Sequence, residues 1–327
     1  MRALVCNEYG PPESLVIEVQ LDPVPGKGEI LVDVAAAGIN FPDVLSIAGK
    51  YQVQTPTPFV AGAEAAGVVS ALGEGVSHYS VGDRVIIYTR GTVSGTFAEK
   101  CVAEAMTSMP LPDGLSFEQG AGFAVTYGTS YHALKQSANL QAGETVLVLG
   151  AAGGVGITAV EIAKTMGAKV IAAASTEEKL EFARSAGADE TINYSEVPLK
   201  ETVKELTDGK GADVVYDPVG GELADQAFRA TAWHGRYLVI GFASGDIPKF
   251  AANIALLKEA SIIGVWWGTW AAKNPKLQMQ NVMEMAELIK DGKLTPRVTE
   301  SYPLDDFVDA FAAITERRAR GKVILRM

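Results

Sequence analysis

Two rhythms of apolar and polar positions divide the chain. From residue 1 to about 125, short apolar stretches (RALVCNEY, LVIEVQLDPVP, ILVDVAAAGI, GVVSALGEG, GDRVIIY, TFAEKCVA) are broken by turn residues such as GPP and GKGE. Pro and Gly at strand ends suit antiparallel β architecture, and a compact β-barrel-like domain is predicted. After about 126, strand and helix patterns alternate. Strands are predicted near 145–150, 169–174, 190–193, 212–217, 236–241 and 260–266, with helices over 155–166, 177–186, 197–207 and 221–232. Six strands with intervening helices make a doubly wound parallel sheet with right-handed crossovers. Beyond 265 come an amphipathic helix (MQNVMEMAELIKDG), an extended LTPRVTESYPL, a helix (DDFVDAFAAITERRARG) and a closing strand, KVILRM. These cannot extend the parallel sheet without another crossover, so they are expected to fold back onto the first domain. The predicted division is 1–125 completed by 266–327, and 126–265, with the boundary inside a helix near 126–137.

The junction at 147–164, LVLGAAGGVGITAVEIAK, carries the sharpest chemical signal. Its glycines, spaced G-x-x-G-x-x-G, lie between a strand pattern and a helix pattern. Gly150 permits the tight turn, Gly153 has no β-carbon to block approach to phosphates, and Gly156 lets the helix pack close to the sheet. A helix N-terminus then offers unpaired N–H groups and a favourable dipole end to an anion. A glycine-rich turn also serves packing alone, but here a second apolar strand, KVIAAAS at 169–175, completes a βαβ unit of about thirty residues.

With 327 residues, 48% hydrophobic and 20% charged, the chain has the composition of a globular protein of about two domains. A net charge of −11 argues against nucleic acid as a partner. No apolar run reaches the roughly 20 residues of a membrane span, and MRALVCNEYG lacks a long signal-peptide segment, so a cytoplasmic location is expected. Cys6 and Cys101, both in strand-like segments, read as buried thiols.

The second strand of the βαβ unit ends AAAST, without the Asp or Glu that holds a ribose 2′-hydroxyl in NAD sites. Ser175 and Lys179 would meet a 2′-phosphate with a hydroxyl and a cation. Glu177 and Glu178 read as first-turn acids, with Ser175 and Glu178 forming a capping box. Lys179 reads equally as a solvated helix residue. The expected coenzyme is NADPH.

Eight segments in order resemble the zinc-independent, zeta-crystallin-like NADPH:quinone oxidoreductases of the medium-chain dehydrogenase/reductase superfamily. They are AAAGINFPDVLSIAGKY (35–51), PFVAGAEAAGVV (58–69), VGDRV (81–85), GFAVTYGTSYHAL (122–134), GAAGGVG (150–156), GADETINY (187–194), VVYDPVGG (214–221) and RGKVIL (320–325). The resemblance implies an α/β chain: a GroES-like, β-barrel-type catalytic domain plus a Rossmann NADPH-binding domain with a six-stranded doubly wound parallel sheet. Zinc-dependent relatives carry a Cys after the G-I turn, a His in a G-H-E segment and a further Cys or carboxylate. Asn40, Ala63 and Ala121 stand near those positions and cannot supply the three N, S or O ligands that catalytic zinc requires. His78, His132 and His234 are scattered and read as surface or helix residues. No metal is therefore expected. Without a Lewis acid for an alkoxide, reduction of an electron-poor acceptor is the better fit.

Carried over by position, Asn40 and Thr126 lie near the nicotinamide, and Ala152, Gly153, Gly154 and Val155 cradle the pyrophosphate. Ser175, Lys179, Tyr194 and Arg317 surround the 2′-phosphate, while Val219, Phe242, Ala243, Val265, Trp266 and Trp267 border the nicotinamide and its ribose. Tyr194 also reads as a strand-end core residue, and Arg317 as helix C-terminal charge. Asp43 and Tyr51 occupy the region that faces substrate in relatives. Tyr51 either donates to a substrate carbonyl or covers the barrel edge, and no single general acid is evident. The WWGTW run at 266–270 reads either as a flat wall for a planar acceptor or as an interface, because relatives dimerise around ASIIGVWW. The expected function is hydride transfer from NADPH to a quinone by a homodimer. Its rivals are reduction of activated alkenes (enals, enones, enoyl thioesters) and a non-catalytic nucleotide-binding protein.

Overall fold

The computed structural model describes residues 1–89 and 94–327, which form two compact units. The first comprises Met1–Val125 and Thr295–Met327, the second Thr126–Leu294.

In the first unit a seven-stranded sheet is organised around the long strand Glu29–Ile39, which pairs antiparallel with Glu64–Leu72, Lys100–Glu104 and Lys322–Arg326. Two register shifts in its pairing with Glu64–Leu72 bend it, as barrel-like closure requires. Its last residues are buried, unlike the alternating start of the strand, because both faces are covered there. A three-stranded antiparallel sheet (Val16–Val19, Arg2–Cys6, Phe59–Val60) packs beside it. The core gathers Leu4, Ile30, Val32, Ile87 and Phe97, with Phe311 edge-on to Phe97 at 6.0 Å. Both cysteines are free and buried, and burial raises their thiols, that of Cys101 to about 12.

In the second unit six parallel strands follow the order Glu190–Asn193, Lys169–Ala174, Thr145–Leu149, Ala212–Asp217, Thr231–Val239, Ser261–Gly264. The first strand in sequence is central, with the chain winding outward in both directions, the doubly wound arrangement expected. TVLVL is buried at every position because helices cover both faces.

Three local expectations change. The helix predicted over 221–232 stops at Arg229, and Thr231 opens a strand instead. The β-branched Thr231 and the left-handed His234, followed by Gly235, suit a bulged strand better than a helix end. The cap of helix Glu177–Ser185 is Thr176, whose hydroxyl accepts from Lys179 N–H, rather than Ser175. The stretch 266–294, expected with the first domain, lies in the second unit. Tertiary packing decides it: Trp267 packs on Gly128, Asn281 bonds Gln136, and the Trp270 ring stacks on His132 at 4.0 Å.

No helix among the described residues is long and apolar enough to cross a membrane.

Candidate functional site

The glycine turn lies at the carboxyl end of the central strand Thr145–Leu149, where an open parallel sheet presents its helix N-termini. Gly150 has a φ of +56°, which a side chain resists. A Cβ on Gly156 would fall 2.2 Å from Gly150 O, so Gly156 permits the close approach of helix Gly154–Thr165 to the turn. Gly153 differs: its Cβ would meet only Gly150 O, at 3.4 Å, and its φ of −74° suits any residue. Nothing within the protein demands glycine there, so the space its missing side chain leaves is available to a ligand. Gly153 is also the N-cap, and no side chain caps this twelve-residue helix. Ala152, Gly153, Gly154 and Val155 thus form a cradle fit for a pyrophosphate.

A second loop leans on this turn. Asp217, buried at the end of strand Ala212–Asp217, accepts from Val219 N–H at 2.7 Å, Gly220 N–H at 2.9 Å and the Tyr237 hydroxyl at 2.5 Å. That carboxylate fixes the turn of Pro218–Gly221 and sets Val219 beside Gly150, where an added Cβ would be 2.9 Å from Val219 Cγ2. The loop bearing Phe242 and Ala243 is tied to it by Ala243 N–H to Pro218 O and Ser244 N–H to Val219 O. Asp217 is not among the sequence candidates, although a lone carboxylate closing the apolar run VVY is a legible signal.

Ser175 and Tyr194 end neighbouring strands, with Tyr194 N–H bonded to Ala174 O and Ser195 Oγ to Ser175 O. Lys179, in the first turn of the adjoining helix, is partly exposed. Glu177 of the same turn is paired with Arg184 at 2.6 Å. Arg317, exposed and left-handed after helix Phe307–Thr315, belongs to the first unit. Val265 continues the edge strand through its bond to Val239 O. Trp266 is 50% exposed, whereas Trp267 is only 6% exposed and packs on Gly128, so Trp266 alone of this pair presents a broad apolar face. Thr126 is buried, and its carbonyl accepts from Thr158 Oγ1.

The first unit holds a buried polar cluster. Asn40 caps the helix Phe41–Ile47, and Asp43 Oδ2 accepts Asn40 N–H at 2.7 Å. The Asn40 side chain turns instead toward Glu64, whose Oε1 receives its Nδ2 at 2.9 Å. Lys322 Nζ lies 2.5 Å from Glu64 Oε1, 2.6 Å from Asn40 Oδ1 and 3.0 Å from Ile39 O. Neither Glu64 nor Lys322 was among the sequence candidates. A single Glu within PFVAGAEAAGVV, and a Lys opening the apolar strand KVIL, mark them in retrospect. Tyr51 is half-buried and its N–H bonds Leu45 O, beside Gly49, where the Tyr9 ring packs.

Burial raises the Asp43 carboxyl from 3.8 to about 7, with Glu64 adding to the rise and the Asn40 N–H and the Lys322 charge opposing it. Folded protein therefore keeps a proton that the unfolded chain has released. The contribution of Asp43 to stability is fully present below about pH 4 and is lost as pH rises through about 7. Asp43→Asn removes this dependence while keeping an oxygen for Asn40 N–H. The midpoint of thermal unfolding, variant minus wild type, is expected to be more positive at pH 8 than at pH 5. A difference independent of pH would sink the assignment.

Comparison with known proteins places this geometry. A family model described as "Zinc-binding dehydrogenase" matches residues 154–287, and one for "Alcohol dehydrogenase GroES-like domain" matches 26–113. A quinone oxidoreductase-like protein 2 homolog of Nematostella vectensis is 42% identical over 99% of this chain and 88% of its own length. The quinone oxidoreductase of Escherichia coli, solved in complex with NADPH, superposes with a TM-score of 0.92 at 30% identity, covering all of both chains. The CurK enoyl reductase superposes with a TM-score of 0.88 at 28% identity, over 100% of this chain and 99% of that one.

Proposed function

Because the chain belongs to the quinone oxidoreductase-like family of the medium-chain dehydrogenase/reductase superfamily, a family of oxidoreductase enzymes, we propose that it is an NADPH-dependent quinone reductase working without a bound metal. The observation carrying the coenzyme part is Gly153, whose absent side chain leaves room that the protein itself does not need. Bound NADPH supplies a hydride, and the quinone takes that hydride and one proton to become a hydroquinone. The chain's residues do the holding. Ala152–Val155 accept the pyrophosphate, Asp217 stiffens the loop bearing Val219, and Ser175, Lys179, Tyr194 and Arg317 serve the 2′-phosphate. Asn40 and Thr126 serve the reacting ring, with Tyr51 positioning substrate. Asp43, whose carboxylate holds Asn40 N–H, serves with Asn40 in positioning substrate, and the proton comes from solvent.

The donor set does not fit zinc. Asn40, Ala63 and Ala121 stand near the ligand positions of zinc-dependent relatives and offer no His, Cys or carboxylate there, and the Lys322 ammonium already bonds both Asn40 Oδ1 and Glu64 Oε1.

A second reading, reduction of an alkene conjugated to a carbonyl, is favoured by the likeness to the enoyl reductase. NADPH absorbance followed with 1,4-benzoquinone, 9,10-phenanthrenequinone and an enone separates the readings. Faster quinone turnover that survives chelation, with at least about tenfold preference for NADPH over NADH, is expected, and Lys179→Ala should narrow that preference. Enone-only turnover would favour the second reading, binding without turnover a nucleotide-binding protein, and activity needing stoichiometric zinc would end the metal-free proposal. The exposed edge strand Ser261–Gly264 supports a homodimer, which sedimentation tests.

A further inference from the structure

The Asn40 amide is clamped at both ends by groups of opposite character. Lys322 is donor-only, and its three ammonium hydrogens have three acceptors: Glu64 Oε1, Asn40 Oδ1 and Ile39 O. Glu64 accepts Asn40 Nδ2, which also reaches Gly38 O at 3.3 Å. Because the lysine requires an oxygen and the carboxylate requires an N–H, the amide has one permitted orientation. Glu64 Oε2 is itself held by Val125 N–H at 2.8 Å, so the carboxylate cannot swing away.

The surroundings are shaped for the lysine. A Cβ on Gly38 would fall 2.8 Å from Lys322 Cε, and one on Gly122 2.6 Å from Lys322 Cγ. The stem thus passes two glycines, on a strand and at a helix end, that leave room for it. Strand register delivers the ammonium: Val323 pairs with Ile39, and Gly38 pairs with Glu64, so residues 322, 40 and 64 converge although as much as 282 positions apart. Lys322 and Glu64 are both almost wholly buried, which keeps the interaction unscreened.

We propose that Lys322 is a positioning residue of the reduction site: its ammonium, braced by Glu64, holds the Asn40 amide in the single orientation that the reacting ring meets. This rests on the reading that Asn40 serves that ring. A fixed amide contributes through geometry, where a shift of about 1 Å is enough to lower turnover about a hundredfold.

Lys322→Met alone strands a buried carboxylate, so the decisive variant is Lys322→Met/Glu64→Gln, in which the new amide can pair with a flipped Asn40. Selective 15N-asparagine labelling, with the Asn40 side-chain signal assigned by its loss in Asn40→Ser, reads the clamp directly. Hydrogen exchange of that side chain is expected to be slow in wild type and at least about tenfold faster in the double variant. Turnover with quinone should fall at least about tenfold while the NADPH dissociation constant stays within about twofold. Unchanged exchange, or unchanged turnover in the folded double variant, overturns the proposal. If wild type reduces neither quinone nor enone, the functional reading fails, and exchange at Asn40 alone then decides whether Lys322 holds it.

Discussion

Gly153→Val is expected to keep the fold and lose the coenzyme. Its backbone conformation suits valine, and the first side-chain atom would meet nothing nearer than Gly150 O at 3.4 Å. The added methyls would project into the space above the helix N-terminus that a pyrophosphate needs. Losing two or three charge-assisted bonds, each contributing about 1.5–3 kcal/mol, lowers NADPH affinity by at least about a hundredfold. The thermal midpoint without coenzyme should move by less than about 2 °C, under about 1 kcal/mol. Gly156→Ala is the opposite case. Its Cβ would press on Gly150 O at 2.2 Å, backbone against backbone, and overpacking of that kind costs about 1–3 kcal/mol. Thermal unfolding should show this loss even before coenzyme is added. Undiminished NADPH binding by Gly153→Val would refute the pyrophosphate assignment.

Lys322→Met is expected to destabilise the protein by about 3–5 kcal/mol, the cost of leaving one charge of a buried pair uncompensated. Glu64 is fully inaccessible and Lys322 nearly so, so water cannot take over the lost interaction. Adding Glu64→Gln should recover most of the loss, because removal of both charges also removes the demand for compensation. Thermal midpoints of wild type, both single variants and the double variant measure the coupling. Additive losses would mean that the two groups do not act as a pair. Arg2 with Asp305 provides a contrast, since both side chains are substantially exposed and their ion pair should contribute under about 1 kcal/mol.

The glycine turn was legible because its residues are contiguous. Strand, turn and helix occupy 145–165 without interruption, and left-handed Gly150, open Gly153 and tightly packed Gly156 each have a role that spacing alone suggests. The alternation of strands and helices likewise carried the six-stranded sheet, with errors where local propensity misled. RATA continues a helical pattern, yet strand pairing captures Thr231. S-T-E-E permits either hydroxyl as the cap, and backbone conformation selects Thr176 over Ser175.

The sequence by itself determined the order of elements, the doubly wound sheet and the glycine cradle, since each depends on residues within a few turns of one another. Only the tertiary structure decided that 266–294 joins the second unit, that Asp43 keeps its proton to near neutrality, and that Lys322 meets Glu64 and Asn40. The physical reason is range. Turn and helix preferences are local, whereas burial, and with it the strength of every charge interaction, is set by strands that pair across hundreds of residues.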